Sequence, residues 1–164
     1  MIGPKLCAAW LCIVLTGLMT GCSFQPPPDV SVRAARLIDD GGSAARCEID
    51  LALSNPGAEP LELLTFEYDV MINGTNAYRG RRSAEATLSG AGERIITLPA
   101  VVDRSLLTGG DIGRVRWAIR GSLLYVTPGR IAELLLDSGV RKPTVGFSGD
   151  GAFGAVVEGD GDGR

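Results

Sequence analysis

The sequence predicts an all-β fold, a sandwich of two sheets, and three observations carry that expectation. Two stretches alternate apolar and polar residues with period two. In the first, Cys47, Ile49, Leu51 and Leu53 alternate with Glu48, Asp50, Ala52 and Ser54; in the second, Phe66, Tyr68, Val70 and Ile72 alternate with Thr65, Glu67, Asp69 and Met71. Such spacing marks strands with one dry face. Specific turn signals punctuate them: Asn55-Pro56-Gly57 makes a bend, and Asn73-Gly74 makes a two-residue hairpin. Finally, 23 glycines in 164 residues point to many turns, about twice the average usage. The hydrophobic share of 45% is enough for a core, and with few aromatics Val, Leu, Ile and Ala must fill it.

Taken in order, Val30–Leu37 reads as a first strand with Val30, Val32 and Ala34 on one side. Asp39-Asp40-Gly41-Gly42-Ser43 is a turn cluster, better explained as a solvated loop than as a weak cation site. Ala45–Leu53 is the second strand, Leu61–Ile72 the third and Asn76–Arg82 the fourth, with Ser83–Gly92 a polar loop. Glu93–Val102 is the fifth, and Pro99 requires it to end nearby or to lie at a sheet edge. Asp103–Leu107 suits one helical turn. Arg114–Val126 is the sixth strand, with Val115, Trp117, Ile119, Leu123 and Tyr125 facing in and Arg114, Arg116 and Arg120 facing out. A helix follows: Thr127 caps it, Pro128 opens it, Ile131, Leu134 and Leu135 form its apolar stripe, and Gly139 closes it. Thr144–Ser148 is the last strand. The Gly- and Asp-rich stretch 150–164 cannot offset its own ordering entropy and is expected to be disordered.

Seven strands with one helix before the last describe a sandwich of the immunoglobulin or fibronectin type. Strands one, two and five would form one sheet, and strands four, three, six and seven the other. Glu67 and Asp69 should then pair across the ladder with Arg116 and Arg120.

The N-terminus carries an address. Leu6–Leu18 is an apolar run of 13 residues, followed by Leu18-Met19-Thr20-Gly21-Cys22. Small residues after such a run describe a secretory signal. With cysteine next, the segment resembles a bacterial lipobox, although Met19 stands where that pattern prefers leucine. The resemblance implies removal of residues 1–21 and lipidation of Cys22. An uncleaved membrane helix is the competing reading, but the 16 residues of Leu6–Gly21 fall short of the ~17–25 that span a bilayer. Residues 22–28, with Pro26-Pro27-Pro28, form a short stiff tether to a domain at 29–149. Ser23, in place of the aspartate of the inner-membrane retention signal, points to the periplasmic face of the outer membrane. Cys7 and Cys12 leave with the signal, so the mature domain retains only Cys47 and no internal disulfide. Cys47, on the apolar face of its strand, reads as an inert buried residue.

Composition narrows the function classes. A net charge of −3 gives no argument for nucleic acid. The chain has no histidine, which removes the usual general base and metal ligand. No Gly-x-Ser-x-Gly elbow and no phosphate-binding glycine loop occur, and Lys142 is the single lysine after the signal. No catalytic, cofactor, metal or small-molecule site is therefore expected. The remaining candidate is the arginine row Arg114, Arg116 and Arg120, extended by Arg79 and Arg81, as a contact for an anionic surface. The plainer reading is a solvated face neutralised by Glu67 and Asp69.

The run Leu51-Ala52-Leu53-Ser54-Asn55-Pro56, then Leu61–Gly74, then Ile95–Val101, resembles the WHy domain, the water-stress and hypersensitive-response module of late-embryogenesis-abundant (LEA) desiccation proteins. Gly121–Tyr125 and Pro128–Gly139 resemble its bacterial lipoprotein branch. The resemblance implies a fibronectin-like, non-enzymatic module linked to water stress. Two roles follow as expectations: shielding of client proteins or the envelope during drying or freezing, or docking of an envelope assembly through an exposed strand edge.

Overall fold

Alternation along each strand decides which side is dry, and two stacked sheets result. The computed structural model describes residues 25–39, 42–107, 112–127, 137–139, 143–153 and 157–158. The strands are β1 (Asp29–Asp39), β2 (Ala44–Ser54), β3 (Leu61–Ile72), β4 (Thr75–Leu88), β5 (Glu93–Asp103), β6 (Arg116–Val126), β7 (Thr144–Ala152) and β8 (Val157–Glu158). The first sheet has the order β5-β2-β1-β8 and the second β4-β3-β6-β7. All pairings are antiparallel except β1 with β8. This is the expected grouping of the seven longer strands, with β8 added.

Between the sheets, Cys47, Ile49, Leu51 and Leu53 of β2 belong to one buried cluster with Phe66, Tyr68, Val70 and Ile72 of β3. Leu98 and Val102 of β5 and Trp117, Ile119 and Leu123 of β6 complete its centre. Each such aliphatic or aromatic burial is worth about 1.5–3 kcal/mol, which is why the period-two pattern fixes the layering.

Several boundaries differ from the sequence expectation, each for a local reason. In β1 the register slips between Val32 and Ala34. Ala34 is therefore exposed rather than inward, and Ala35 and Leu37 take up the inner face. β4 runs on to Leu88 instead of ending at Arg82. Glu85, with φ of 44°, absorbs a bulge, after which Ala86 and Leu88 pair with Leu63 and Leu61. β6 begins at Arg116, and Arg114 sits in a 3₁₀ turn, Ile112–Arg114, off the ladder. Arg104–Leu107 forms the expected single turn, also 3₁₀.

The sequence expectation ends the seventh strand at Ser148 and leaves residues 150–164 disordered, yet β7 continues through Ala152, Phe153 is 2% exposed, and β8 within that stretch pairs with β1. Phe153 packs on the Trp117 ring at 6.5 Å between centroids, burial that offsets the cost of ordering the glycines before it. Gly149 permits the closure of this side, because a Cβ there would lie 2.6 Å from Val32 Cβ. Of the expected helix, residues 128–136 lie outside the described residues; Asp137 is helical and Gly139 has φ of 71°. The signal segment 1–21, Cys22 and residues 159–164 also lie outside them.

One end of the sandwich is held by a buried amide. Asn55 is 2% exposed. Its Oδ1 accepts from the Gly57 N–H at 3.0 Å, and its Nδ2 donates to the Glu59 and Ser89 carbonyls at 2.8 and 3.1 Å. The Ala91 N–H donates to the Gly57 carbonyl at 2.8 Å. The β2–β3 bend and the β4–β5 turn are thus one unit. Gln25 joins them, its Nε2 donating to Asn55 Oδ1 at 3.1 Å and to the Glu59 carbonyl at 3.2 Å. Pro28 is buried. Residues 25–28 are therefore seated on the domain, not a free spacer.

The free edge of β5 faces β4. The Arg82 guanidinium donates to the Thr97 carbonyl at 2.7 Å, and the Tyr68 hydroxyl donates to the Pro99 carbonyl at 2.6 Å. Pro99 has no N–H to offer. Of the two places that Pro99 allowed, a strand end nearby or a sheet edge, β5 takes the edge.

Candidate functional site

The outer face of the second sheet carries a trough of about 720 Å³, and its shape follows from register. Tyr68 lies opposite Gly80 on one side and Gly121 on the other. All three face inward, so their backbone is the floor. A Cβ on Gly121 would lie 2.6 Å from the Phe147 ring and 2.9 Å from Tyr68 Cβ. The two glycines thus make room for the aromatic side chains beneath the floor.

The walls are the two neighbouring cross-strand rows. One is Arg79–Asp69–Arg120, and the other is Arg81–Glu67–Ser122. In the first, Arg79 Nε donates to Asp69 Oδ1 at 2.6 Å, and Arg120 Nε lies 3.8 Å from Asp69 Oδ2. In the second, Arg81 Nε lies 3.5 Å from Glu67 Oε1. The Arg79 hydrogen bond holds the Asp69 carboxyl below the usual carboxylate range, with the charges of Arg79 and Arg120 adding to it. Three guanidinium groups and two carboxylates leave the trough one positive charge in excess. Such a surface can hold an anionic or hydrogen-bonding group, although each exposed pair contributes little to stability.

The arginines singled out from sequence divide between two places. Arg120 joins Arg79 and Arg81 on the trough. Arg116 lies on the same face nearer the strand start, 4.0 Å from Asp150, and its N–H donates to Asn73 Oδ1 at 3.0 Å. Arg114 is exposed in its 3₁₀ turn and is not part of the row. The expected pairing of Glu67 and Asp69 with Arg116 and Arg120 is met only by Asp69 with Arg120. Glu67 turns instead to β4, because its β6 partner is Ser122.

Sequence reasoning missed the glycine floor and the Asn55–Gln25 junction. The first had a faint signal, Gly80 and Gly121 placed within outward-arginine strands. The second had only the Asn-Pro-Gly bend, which showed the turn but not its distant partners.

A second groove of about 520 Å³ lies between the edges of β4 and β5, lined by Arg82, Ala84, Ala86, Ile95, Thr97 and Pro99 among others. Ile95 in its wall and Val101 further along are 67% and 58% exposed, the large hydrophobic residues that the surface displays among the described residues. In the same described set, no group of three or more His, Cys, Asp or Glu side chains is placed to hold a metal ion.

No family model and no curated protein matches the chain. Solved structures do match it in fold. The solution structure of AT1g01470 from Arabidopsis thaliana superposes with a TM-score of 0.62 at 17% identity, covering 87% of this chain and 91% of that one. A solution structure of a candidate late embryogenesis abundant protein, At2g46140.1, gives 0.56 at 15% identity, covering 91% and 79%. The X-ray structure of structural-genomics target SoR45 gives 0.56 at 12% identity, covering 87% and 98%. What the chain shares with these proteins is the two-sheet all-β fold.

Proposed function

We propose that this protein is a non-catalytic, LEA-like stress module of WHy type, anchored by a lipid on Cys22 to the periplasmic face of the outer membrane, where it protects the envelope during water loss. The observation that carries the reading is the fold shared with the candidate LEA structure, taken with the Leu51–Pro56 run at the bend where Asn55 ties two loops together. The strand order supports the fibronectin type, with strands one, two and five against four, three, six and seven. The Pro128–Gly139 helix belongs to the same reading. The anchor rests on the lipobox-like Leu18–Cys22. Two or more acyl chains at Cys22 hold such a protein stably at a bilayer.

The test is survival of a deletion strain after drying and rewetting, with complementation by the wild-type gene. Loss of survival, restored by complementation, is the expected outcome. Survival equal to the parent overturns the protective role.

A second reading is favoured by Ile95 and Val101, exposed on the outer face of an edge strand. Here the domain docks an envelope assembly instead of shielding many clients. Crosslinking in intact cells separates the two: one stoichiometric partner favours docking, and a diffuse set favours protection.

A further inference from the structure

We infer that the sandwich meets its own membrane end-on, with the Asn55–Glu59 bend and the Ser89–Gly92 turn against the lipid headgroups and the Asn73-Gly74 hairpin farthest from them. This rests on the proposed lipidation of Cys22. Gln25 is seated on Asn55 and Glu59 by two hydrogen bonds, and it stands three residues after Cys22. Three residues span at most roughly 11 Å. The seat of Gln25 is therefore within that distance of the lipidated residue, whatever path the chain takes between them.

The register places everything else. Asp29 pairs with Ser54, Leu61 with Leu88, and Glu62 with Val126, all at this end. β6 then runs 11 residues to Arg116 at the other end, roughly 35 Å at the usual rise. Arg116, and Arg114 before it, lie beyond the reach of headgroups around the anchor. The near end offers small, uncharged contacts in the exposed Pro56, Ala58, Pro60 and Ala91. It also exposes Asp29, Glu59, Glu62 and Glu93 against Arg94. Proximity is thus imposed by the chain and not by attraction. A side-on pose on the trough face gains little, because Arg79, Arg81, Arg116 and Arg120 already face Asp69, Glu67 and Asp150.

The experiment uses the full-length protein purified with its lipids and inserted into phosphatidylcholine vesicles carrying a headgroup nitroxide. A fluorophore is placed in turn on Ala58→Cys, Arg81→Cys and Thr75→Cys; Cys47 is buried and stays unlabelled. The expected order of quenching is Ala58 strongest, Arg81 weaker, and Thr75 at least fivefold weaker than Ala58. Thr75 quenched as strongly as Ala58, or Arg81 more strongly, overturns the end-on pose. Gln25→Ala frees the chain only as far as the buried Pro28, lengthening the tether from roughly 11 Å to roughly 20 Å, and quenching at Ala58 should fall at least twofold. Unchanged quenching removes the Gln25 seat as its cause and overturns the inference. Intact-protein mass and flotation of wild type against Cys22→Ser report the anchor separately. Acyl chains on Cys22 with the wrong quenching order sink the pose alone, and their absence sinks the anchor and the pose together.

Discussion

The Tyr68 hydroxyl donates to the Pro99 carbonyl oxygen at 2.6 Å, joining the centre of the second sheet to the edge of the first. Tyr68 is 4% exposed, and burial pushes its phenol well above the ordinary value. Tyr68→Phe keeps the ring and removes only this bond. Urea unfolding should show a loss of about 1–2 kcal/mol, from the bond and the stranded carbonyl. An unchanged midpoint would mean water replaces the phenol.

Asn55 carries more. Its side chain serves the Gly57 N–H and the Glu59 and Ser89 carbonyls at once. Asn55→Ala leaves these groups without that partner in a buried site, and a loss of about 2–4 kcal/mol is expected in urea melts. Asn55→Asp should be no milder, since a carboxylate would face two carbonyl oxygens. Full stability in either variant would contradict the junction.

The β4–β5 turn offers a pair of opposite effects. Ala91 holds φ of 50°, a left-handed position that favours glycine. Ala91→Gly should stabilise by about 0.5–1 kcal/mol, the relief of strain less the added chain entropy. Gly90→Ala should destabilise, because its Cβ would lie 1.8 Å from the Ala58 carbonyl oxygen. Thermal melts of the two variants should move in opposite directions.

Cys47 should be chemically silent. It is fully buried, and burial, helped by the neighbouring charge of Glu48, pushes its thiol up to about 12. An aromatic disulfide reagent at pH 8 should release no chromophore from the folded protein and one equivalent per chain in denaturant, with the sequence before Cys22 removed and Cys22 lipidated. Rapid reaction in the native state would show that the sheets part easily.

Acid should weaken the trough. The Asp69 carboxyl is depressed in the fold, whereas an unfolded aspartate titrates near about 3.9. Its contribution is therefore present in full above that unfolded value and is lost as pH falls through the lower folded value. Denaturant midpoints measured from pH 6 to pH 2.5 should fall less steeply below pH 4 for Asp69→Asn than for wild type. Parallel curves would mean the Arg79 bond contributes nothing in solution.

How much of this was legible depended on distance along the chain. β3 was readable from Phe66 to Ile72 because Phe66, Tyr68, Val70 and Ile72 alternate without interruption, whereas the bulge between Leu63 and Thr65 left no local mark. The hairpin was readable because only residues such as Asn73 and Gly74 accept φ of 50° and 82° together. Ala34 was misassigned because a bulge shifts the phase, and nothing in Val32-Arg33-Ala34 announces one. The end of β4 was hidden in Ser83–Leu88, where small and polar residues read as a loop until Leu61 and Leu63 are set beside them. In the candidate site, outward arginines followed from parity alone. Which carboxylate each would meet required the register, and that put Arg81 beside Glu67 and moved Arg116 to Asp150. The partners of Asn55 at Gln25 and Ser89 are 30 and 34 residues away, beyond any local pattern.

The capped edge of β5 has a consequence at high local protein concentration. An unpaired strand border is a template on which a second copy can add and a filament can grow. Here the Thr97 acceptor is occupied by Arg82, and the Pro99 acceptor by Tyr68. Pro99 itself supplies no donor to an arriving strand. A crowded population of these molecules therefore finds no ready seed at the middle of that border, and copies pressed together there gain no ladder of hydrogen bonds from one another.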